Sequence, residues 1–377
     1  MEFIGISLAK IYSESGWEYF PLLNLLMVGI IIGLLWLGRR RGELSFFLVA
    51  LCLGGLLANL PKAGITDLIE YGVLQLFLLA LHYQIFPPLF FLGLGMLLDF
   101  RFLLANRKLI FLGASFQVGI FFAFGVGLSV EFLSFGWLPN FSLAEAASIA
   151  LVGTGFPVMA LFVTSKSAYT LLSAVAVGAF LYSLFAQSIR KEFVGCLSTL
   201  SEEQYPLLQK REISASEGVA FRVLLLLGIG LTFPLVSPLL GMLILGNFLR
   251  EVGSDYDRFS QVGKGIVDGM SVVIGLALGL TLEGNKFLDS SLVAILLIGA
   301  VGLAVGAFCE ILTLKIINRV SQDKERLNPM ILCGDDKVLF GASNPLERAQ
   351  KTVLTVRILA VLIAGGILLS LTHTIIL

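Results

Sequence analysis

Asp268 in KGIVDGMSVVIGLALG and Glu310 in VGAFCEILTLK are carboxylates set inside apolar runs. An ionisable group in such a run is costly, so it faces a cavity or a partner and marks a path for ions or protons. Structural readings compete with this: Asp268 as an interfacial helix-end residue, and Glu310 as a carboxylate that snorkels or pairs with Lys315. Gly153-Thr154-Gly155-Phe156-Pro157 supplies the small residues and the proline that interrupt a helix, and ion sites lie where membrane helices unwind. Asn247, in PLLGMLILGNFLRE, can cap or bridge a broken helix or simply pack. Other chemistries lack material. The chain has 2 His and 4 Cys, and Cys52, Cys196, Cys309 and Cys333 lie far apart without zinc or iron-sulfur spacing, so no transition-metal site is expected. The soluble-enzyme motifs GxxxxGK[ST], GxSxG and HExxH are absent from the sequence.

Composition sets the elements that must position these residues. Of 377 residues, 57% are apolar and 14% are charged, against roughly 25% charged in a soluble domain. Lys+Arg and Asp+Glu are both 26, so no basic surplus exists to pair with nucleic acid. Apolar runs near the ~20 residues that cross hydrocarbon recur along the chain, which makes it a multi-pass membrane protein. Residues 1–20 carry Glu2, Lys10, Glu14 and Glu18 and lack the basic n-region and cleavage site of a signal peptide.

The first span, 21–38, ends at Arg39-Arg40-Arg41, which the positive-inside rule assigns to the cytoplasm. A second span covers 44–60, and an interfacial stretch at 67–81 leads to Phe86-Pro87-Pro88, where two prolines forbid a continuous helix. Runs 88–99 and 109–130 form a helical hairpin with Arg101, Arg107 and Lys108 at its basic end. Two full crossings at 144–164 and 171–187 would then put Arg190 and Lys191 on the wrong side. The conflict disappears if 144–168 enters and leaves on one side, turning at Gly153 to Pro157. The polar connection 190–217 divides the chain, and apolar runs follow at 224–233, 239–249, 265–282, 292–317 and 353–371. Pro88 to Arg101 echoes Pro238 to Arg250, each a Pro-started, Gly-interrupted segment ending in Arg.

Ile85 to Lys108 (IFPPLFFLGLGMLLDFRFLLANRK), Ser142 to Gly153 (SLAEAASIALVG), Phe162 to Lys166 (FVTSK) and Pro238 to Glu251 (PLLGMLILGNFLRE) resemble the β subunit of sodium-pumping, biotin-dependent decarboxylases. The likeness touches Leu57-Ala58-Asn59-Leu60-Pro61 and Asn328-Pro329 too, so it is collinear over most of the chain. The resemblance implies a plasma-membrane subunit that decarboxylates carboxybiotin presented by a soluble biotin-carrying carboxyltransferase, couples this to sodium export, and assembles with a small single-span subunit as an oligomer. Sodium and carboxybiotin are then its substrates, with no biotin on Lys166. The alternative is a divergent paralogue acting as a secondary transporter or a non-catalytic membrane scaffold.

The implied fold is an all-α polytopic bundle of two inverted repeats with broken or re-entrant helices, in roughly nine or ten spans or half-spans. It divides into N-terminal spans and interfacial segment (1–83), a first repeat (84–189) with its hairpin near 144–168, the connecting loop (190–217), and a second repeat (218–377) with a divergent hairpin near 324–351. The family's hairpin aspartate is replaced here by Phe156, which can neither coordinate a hard cation nor carry a proton. Of the family's site residues, Tyr182 matches the second of two tyrosines and Asn328 opens the second hairpin. No serine or arginine aligns after it, where Asp335 and Asp336 stand, and the amide of the last helix is replaced around Thr352 to Arg357. Asp268, Tyr182, Asn328 and Glu310 are therefore the candidate cation-binding residues, and Gly153, Gly155, Pro157 and Asn247 the candidate break residues.

Overall fold

The computed structural model describes residues 20–41, 45–61, 73–199, 201–208, 211–252, 256–284, 290–322, 325–334, 337–342 and 344–373. The N-terminal 19 residues, residues 67–72 of the 67–81 stretch, Asp335 and Asp336 lie outside this set. All regular structure among the described residues is helical. The first half contains α1 (Leu22–Arg41), α2 (Phe46–Ala58), α3 (Val73–His82), α4 (Phe86–Leu97), α5 (Phe100–Ala105), α6 (Ile110–Leu133), α7 (Leu143–Ala150), α8 (Pro157–Ser167) and α9 (Leu172–Leu197). The second contains α10 (Ala215–Thr232), α11 (Ser237–Val252), α12 (Tyr256–Gly279), α13 (Ser290–Val320), α14 (Lys337–Phe340) and α15 (Pro345–His373). Among the described residues seven helices are long and apolar enough to cross a membrane, and α3 with α4 forms a further candidate, bent by 74° at the break before Pro87.

Helix is forced on this chain because hydrocarbon offers backbone groups no partner, and each helix satisfies its own. Ends are fixed by side chains: Ser45, Ser142 and Ser214 oxygens accept from Leu48, Glu145 and Glu217 N–H at the starts of α2, α7 and α10. Ser142 and Glu145 form a complete capping box.

Ion pairs gather several helix ends at one basic end of the bundle. Arg101 pairs with Glu251, Arg107 with Glu217 and Lys108 with Glu325, which brings together the start of α6, the start of α10 and the ends of α11 and α13. Asn328 donates to Glu203 O, so the connection after α9 lies there too. Directions follow from these contacts. Helix α6 leaves the basic end and α9 returns to it, so α7 and α8 between them start and finish at the opposite end. Conversely, α13 arrives at the basic end and α15 leaves it, with the second break between them.

The two echoed segments, Pro88 to Arg101 and Pro238 to Arg250, meet face to face. A Cβ on Gly95 would lie 2.0 Å from Leu243 O and one on Gly246 2.0 Å from Leu92 O, so α4 and α11 cross at backbone contact. They run in the same direction, because Asn247 donates to Leu98 O (2.7 Å) and Arg250 pairs with Asp99 (3.1 Å) at their shared end. The echo thus marks a contact pair, not elements of opposed direction. One boundary also shifts: α9 continues to Leu197, and Arg190, read above as the start of a polar loop, is 5% exposed beneath Phe116, with its guanidinium 5.8 Å from the ring centroid.

Candidate functional site

The first break is built from residues 151–157. Helix α7 ends at Ala150, a single tight turn covers Val152–Thr154, Gly155 adopts φ +76°, and Pro157 opens α8. Gly155 supplies the left-handed conformation that a side chain disfavours, and Pro157 at the first turn needs no N–H partner. Gly153 lies so close to α13 that a Cβ would be 2.2 Å from Gly299 O. Helices α7 and α8 are 8 and 11 residues long, about 12 and 16 Å at 1.5 Å per residue, each far short of the ~30 Å of hydrocarbon. The hydroxyls of Ser148 and Ser167, 3.1 Å apart, tie one helix to the other.

The second break begins at Asn328, whose Oδ1 accepts from Met330 N (2.8 Å), and continues as a tight turn over Pro329–Cys333 to Gly334. A turn this short leaves carbonyls without intrahelical partners. Side chains from neighbouring helices take them: Gln350 Nε2 donates to Met330 O (3.0 Å), Arg357 Nη2 to Leu332 O (2.9 Å) and Gln187 Nε2 to Cys333 O (3.2 Å).

The two breaks approach from opposite ends and meet. Thr154, Gly155 and Phe156 of the first and Gly334 of the second line a common crevice with Ser183, Gln187 and Arg190 of α9 and Leu354 of α15. Its free volume is about 10 Å³, room for about one water. A larger cavity of about 250 Å³ adjoins, also shared between the breaks: Gly155 and Phe156 face it from one, and Lys337 and Phe340 from beyond the other. Phe47, Phe90, Phe91 and Phe180 make most of its wall apolar, with Ser45, Ser183, Ser271 and Lys337 as its polar lining residues.

The sequence candidates fall in different places. Tyr182 sits near the first break, donating its hydroxyl to Leu296 O while its ring covers Gly299, so its oxygen holds α13. Asp268 lines a neighbouring cavity of about 570 Å³ that shares Ser45, Phe47, Ser271 and Phe340 with the central one. Asn247 Oδ1 accepts from Arg222 Nε (2.7 Å), and its Nδ2 donates to Gly95 O (3.2 Å) and Leu98 O (2.7 Å), closing the end of α4 at the basic end. Two candidates have protein partners. Asn328 lies at the basic end, its Oδ1 accepting from Met330 N and its Nδ2 donating to Glu203 O, and is not among the residues lining the crevice or the two larger cavities. Glu310 pairs with Arg357 rather than Lys315: Arg357 donates from Nε to its Oε1 (2.7 Å) and from Nη2 to its Oε2 (2.8 Å), and both residues are 1% exposed.

Sequence reasoning missed Arg190, Gln187 and Gln350, and noted Arg357 without a role. A usable signal was present, since Arg357 and Glu310 are opposite charges inside two apolar runs and each requires a partner. Among the described residues no three His, Cys, Asp or Glu side chains come together as a metal site. At the basic end, burial pushes the Glu251 carboxyl up, but the Arg101 hydrogen bond and the Arg222 and Arg101 charges outweigh it and hold it below the ordinary carboxylate value.

A polytopic helical bundle in which two broken helices reach one crevice from opposite ends has the architecture of membrane proteins that move ions or small solutes through a central site. The chain belongs to the family described as the Na+-transporting oxaloacetate decarboxylase beta subunit, which matches residues 23–335. It is 31% identical to the methylmalonyl-CoA decarboxylase subunit beta of Veillonella parvula over 332 residues, covering 88% of this chain and 85% of that protein. It is 30% identical to the glutaconyl-CoA decarboxylase subunit beta of Acidaminococcus fermentans, at the same coverage of 88% and 85%. The oxaloacetate decarboxylase beta chain of Haemophilus ducreyi is 29% identical, with 86% of each chain covered.

Proposed function

We propose that this chain is the membrane subunit of a sodium-translocating decarboxylase, coupling loss of CO2 from carboxybiotin to sodium export. Family membership and the meeting of the two breaks at Gly155 and Gly334 support the reading. Carboxybiotin arrives at the basic end, on the cytoplasmic side by the positive-inside rule, carried by a soluble carboxyltransferase subunit that holds the biotin. A small single-span subunit and further copies of the chain complete the assembly. Decarboxylation of an N-carboxylate releases CO2 and takes up one proton on the ring nitrogen, so a site that exchanges a proton for a cation links the chemistry to transport. Asp268 fits that exchange best: it is an ionisable oxygen donor in an apolar helix and opens on a cavity that shares a wall with the central one.

The two halves are proposed to be inverted repeats. Helices α6 and α9 with the first break between them, and α13 and α15 with the second, recur in the same order with opposed direction, and the 198–214 connection joins them. A second reading, a scaffold or secondary transporter without sodium coupling, is favoured by Phe156 at the meeting point of the breaks, where no carboxylate stands among the described lining residues. Membranes expressing the chain with its biotin-carrying partner distinguish the two. Avidin-sensitive decarboxylation that sodium stimulates is expected, and decarboxylation indifferent to sodium would favour the scaffold.

A further inference from the structure

We infer that the Arg357 guanidinium is a resident cation, filling a site whose oxygens would otherwise take a free monovalent cation. The oxygens around it are those a hard cation needs: both carboxylate oxygens of Glu310 on α13 and the carbonyl of Leu332, released by the second break, all within 2.7–2.9 Å of guanidinium nitrogens. A carboxylate and an unwound carbonyl from two different elements form a bridge that holds only while a positive charge stands between them. Arg357 supplies that charge covalently, from α15. The site is 1% exposed at both charged residues, so neither can relax toward water when the partner is lost. The Phe116 ring, 5.9 Å from the Arg357 guanidinium, adds a face that favours a cation. The second break therefore keeps its shape without a bound ion, and any ion route through the molecule passes elsewhere. This holds whether or not the complex moves sodium.

The test is the thermal unfolding of the purified full-length chain in detergent, followed by a thiol-reactive dye that reports exposure of buried Cys52 and Cys333. Each protein is scanned in sodium chloride, in choline chloride, and in choline chloride with low-millimolar guanidinium, at one ionic strength. The sodium-minus-choline shift of the native chain measures any other ion site. In Arg357→Ala that shift is expected to exceed the native value by about 3 °C or more, and guanidinium is expected to recover much of the lost stability. The double variant Glu310→Leu/Arg357→Met, which removes both charges, is expected to fold and to show only the native shift. An Arg357→Ala chain that responds to neither ion more than the native protein, that stays unfolded in all three salts, or whose response persists in the double variant would overturn the inference.

Discussion

Gly155 and Glu251 carry the most directly measurable single-residue effects. Gly155 stands at φ +76° with ordinary contact distance around an added Cβ, 3.5 Å to Ala186, so Gly155→Ala tests backbone strain free of a clash. The substitution is expected to cost about 1–2 kcal/mol, read as a lower unfolding temperature in detergent. Glu251 has a carboxyl held below its ordinary value, so its stabilisation is complete above the unfolded-state pKa, about 4.3, and is lost as pH falls through the lower folded value. Native chain should lose stability below about pH 4, whereas Glu251→Gln should start less stable and show a flatter acid limb; parallel acid limbs would refute this. The signal for the Glu310 partner was masked by Lys315, its neighbour in sequence, yet five positions place Lys315 about 140° around the helix, off the shared face. Arg357 is 47 residues away and becomes adjacent only when α13 and α15 pack beside the second break.

Elements were more legible than pairs. Apolar runs of spanning length and the Gly-Pro interruption at 153–157 stand in the sequence, because membrane helices must be long and their breaks need residues that tolerate unusual backbone. The extension of α9 past Arg190 was hidden, since a charge normally ends a span and here Phe116 and the surrounding bundle bury it. The echo of Pro88 and Pro238 was real as a pattern but recorded the needs of a tight crossing, where small residues let backbones touch. That crossing gives a sharp test. In Gly95→Val the new side chain would begin 2.0 Å from Leu243 O, a backbone atom that cannot rotate aside. A loss of about 3 kcal/mol or more is expected, seen as unfolding at a markedly lower temperature, and a near-native melting curve would mean that α4 and α11 do not cross there.

The arrangement of the whole molecule in the membrane rests on one geometric statement, that both ends of the first hairpin lie opposite the basic end. Cys196, exposed in the last turns of α9, belongs to the basic end, and Trp137, 90% exposed between α6 and α7, to the other. A membrane-impermeant maleimide should label Cys196 only from the cytoplasmic side and a Trp137→Cys variant lacking Cys196 only from outside; labelling of both from one side would reverse the hairpin. Composition alone made the protein's membrane class readable, and the motif-carrying segments made its family readable. Asp268 stood out in the sequence as a carboxylate in an apolar run, but the cavity it lines did not, because that cavity exists only once α2 and α12 pack; Glu310, the one carboxylate deeply buried among the described residues, is occupied by Arg357. The most direct test of the central claim is sodium-22 uptake into inside-out proteoliposomes holding the chain with its biotin-carrying partner, with carboxybiotin supplied, for the native protein and for Asp268→Asn. Uptake that requires carboxybiotin and is abolished in the variant is expected. A folded native complex that decarboxylates carboxybiotin yet moves no sodium would contradict the account.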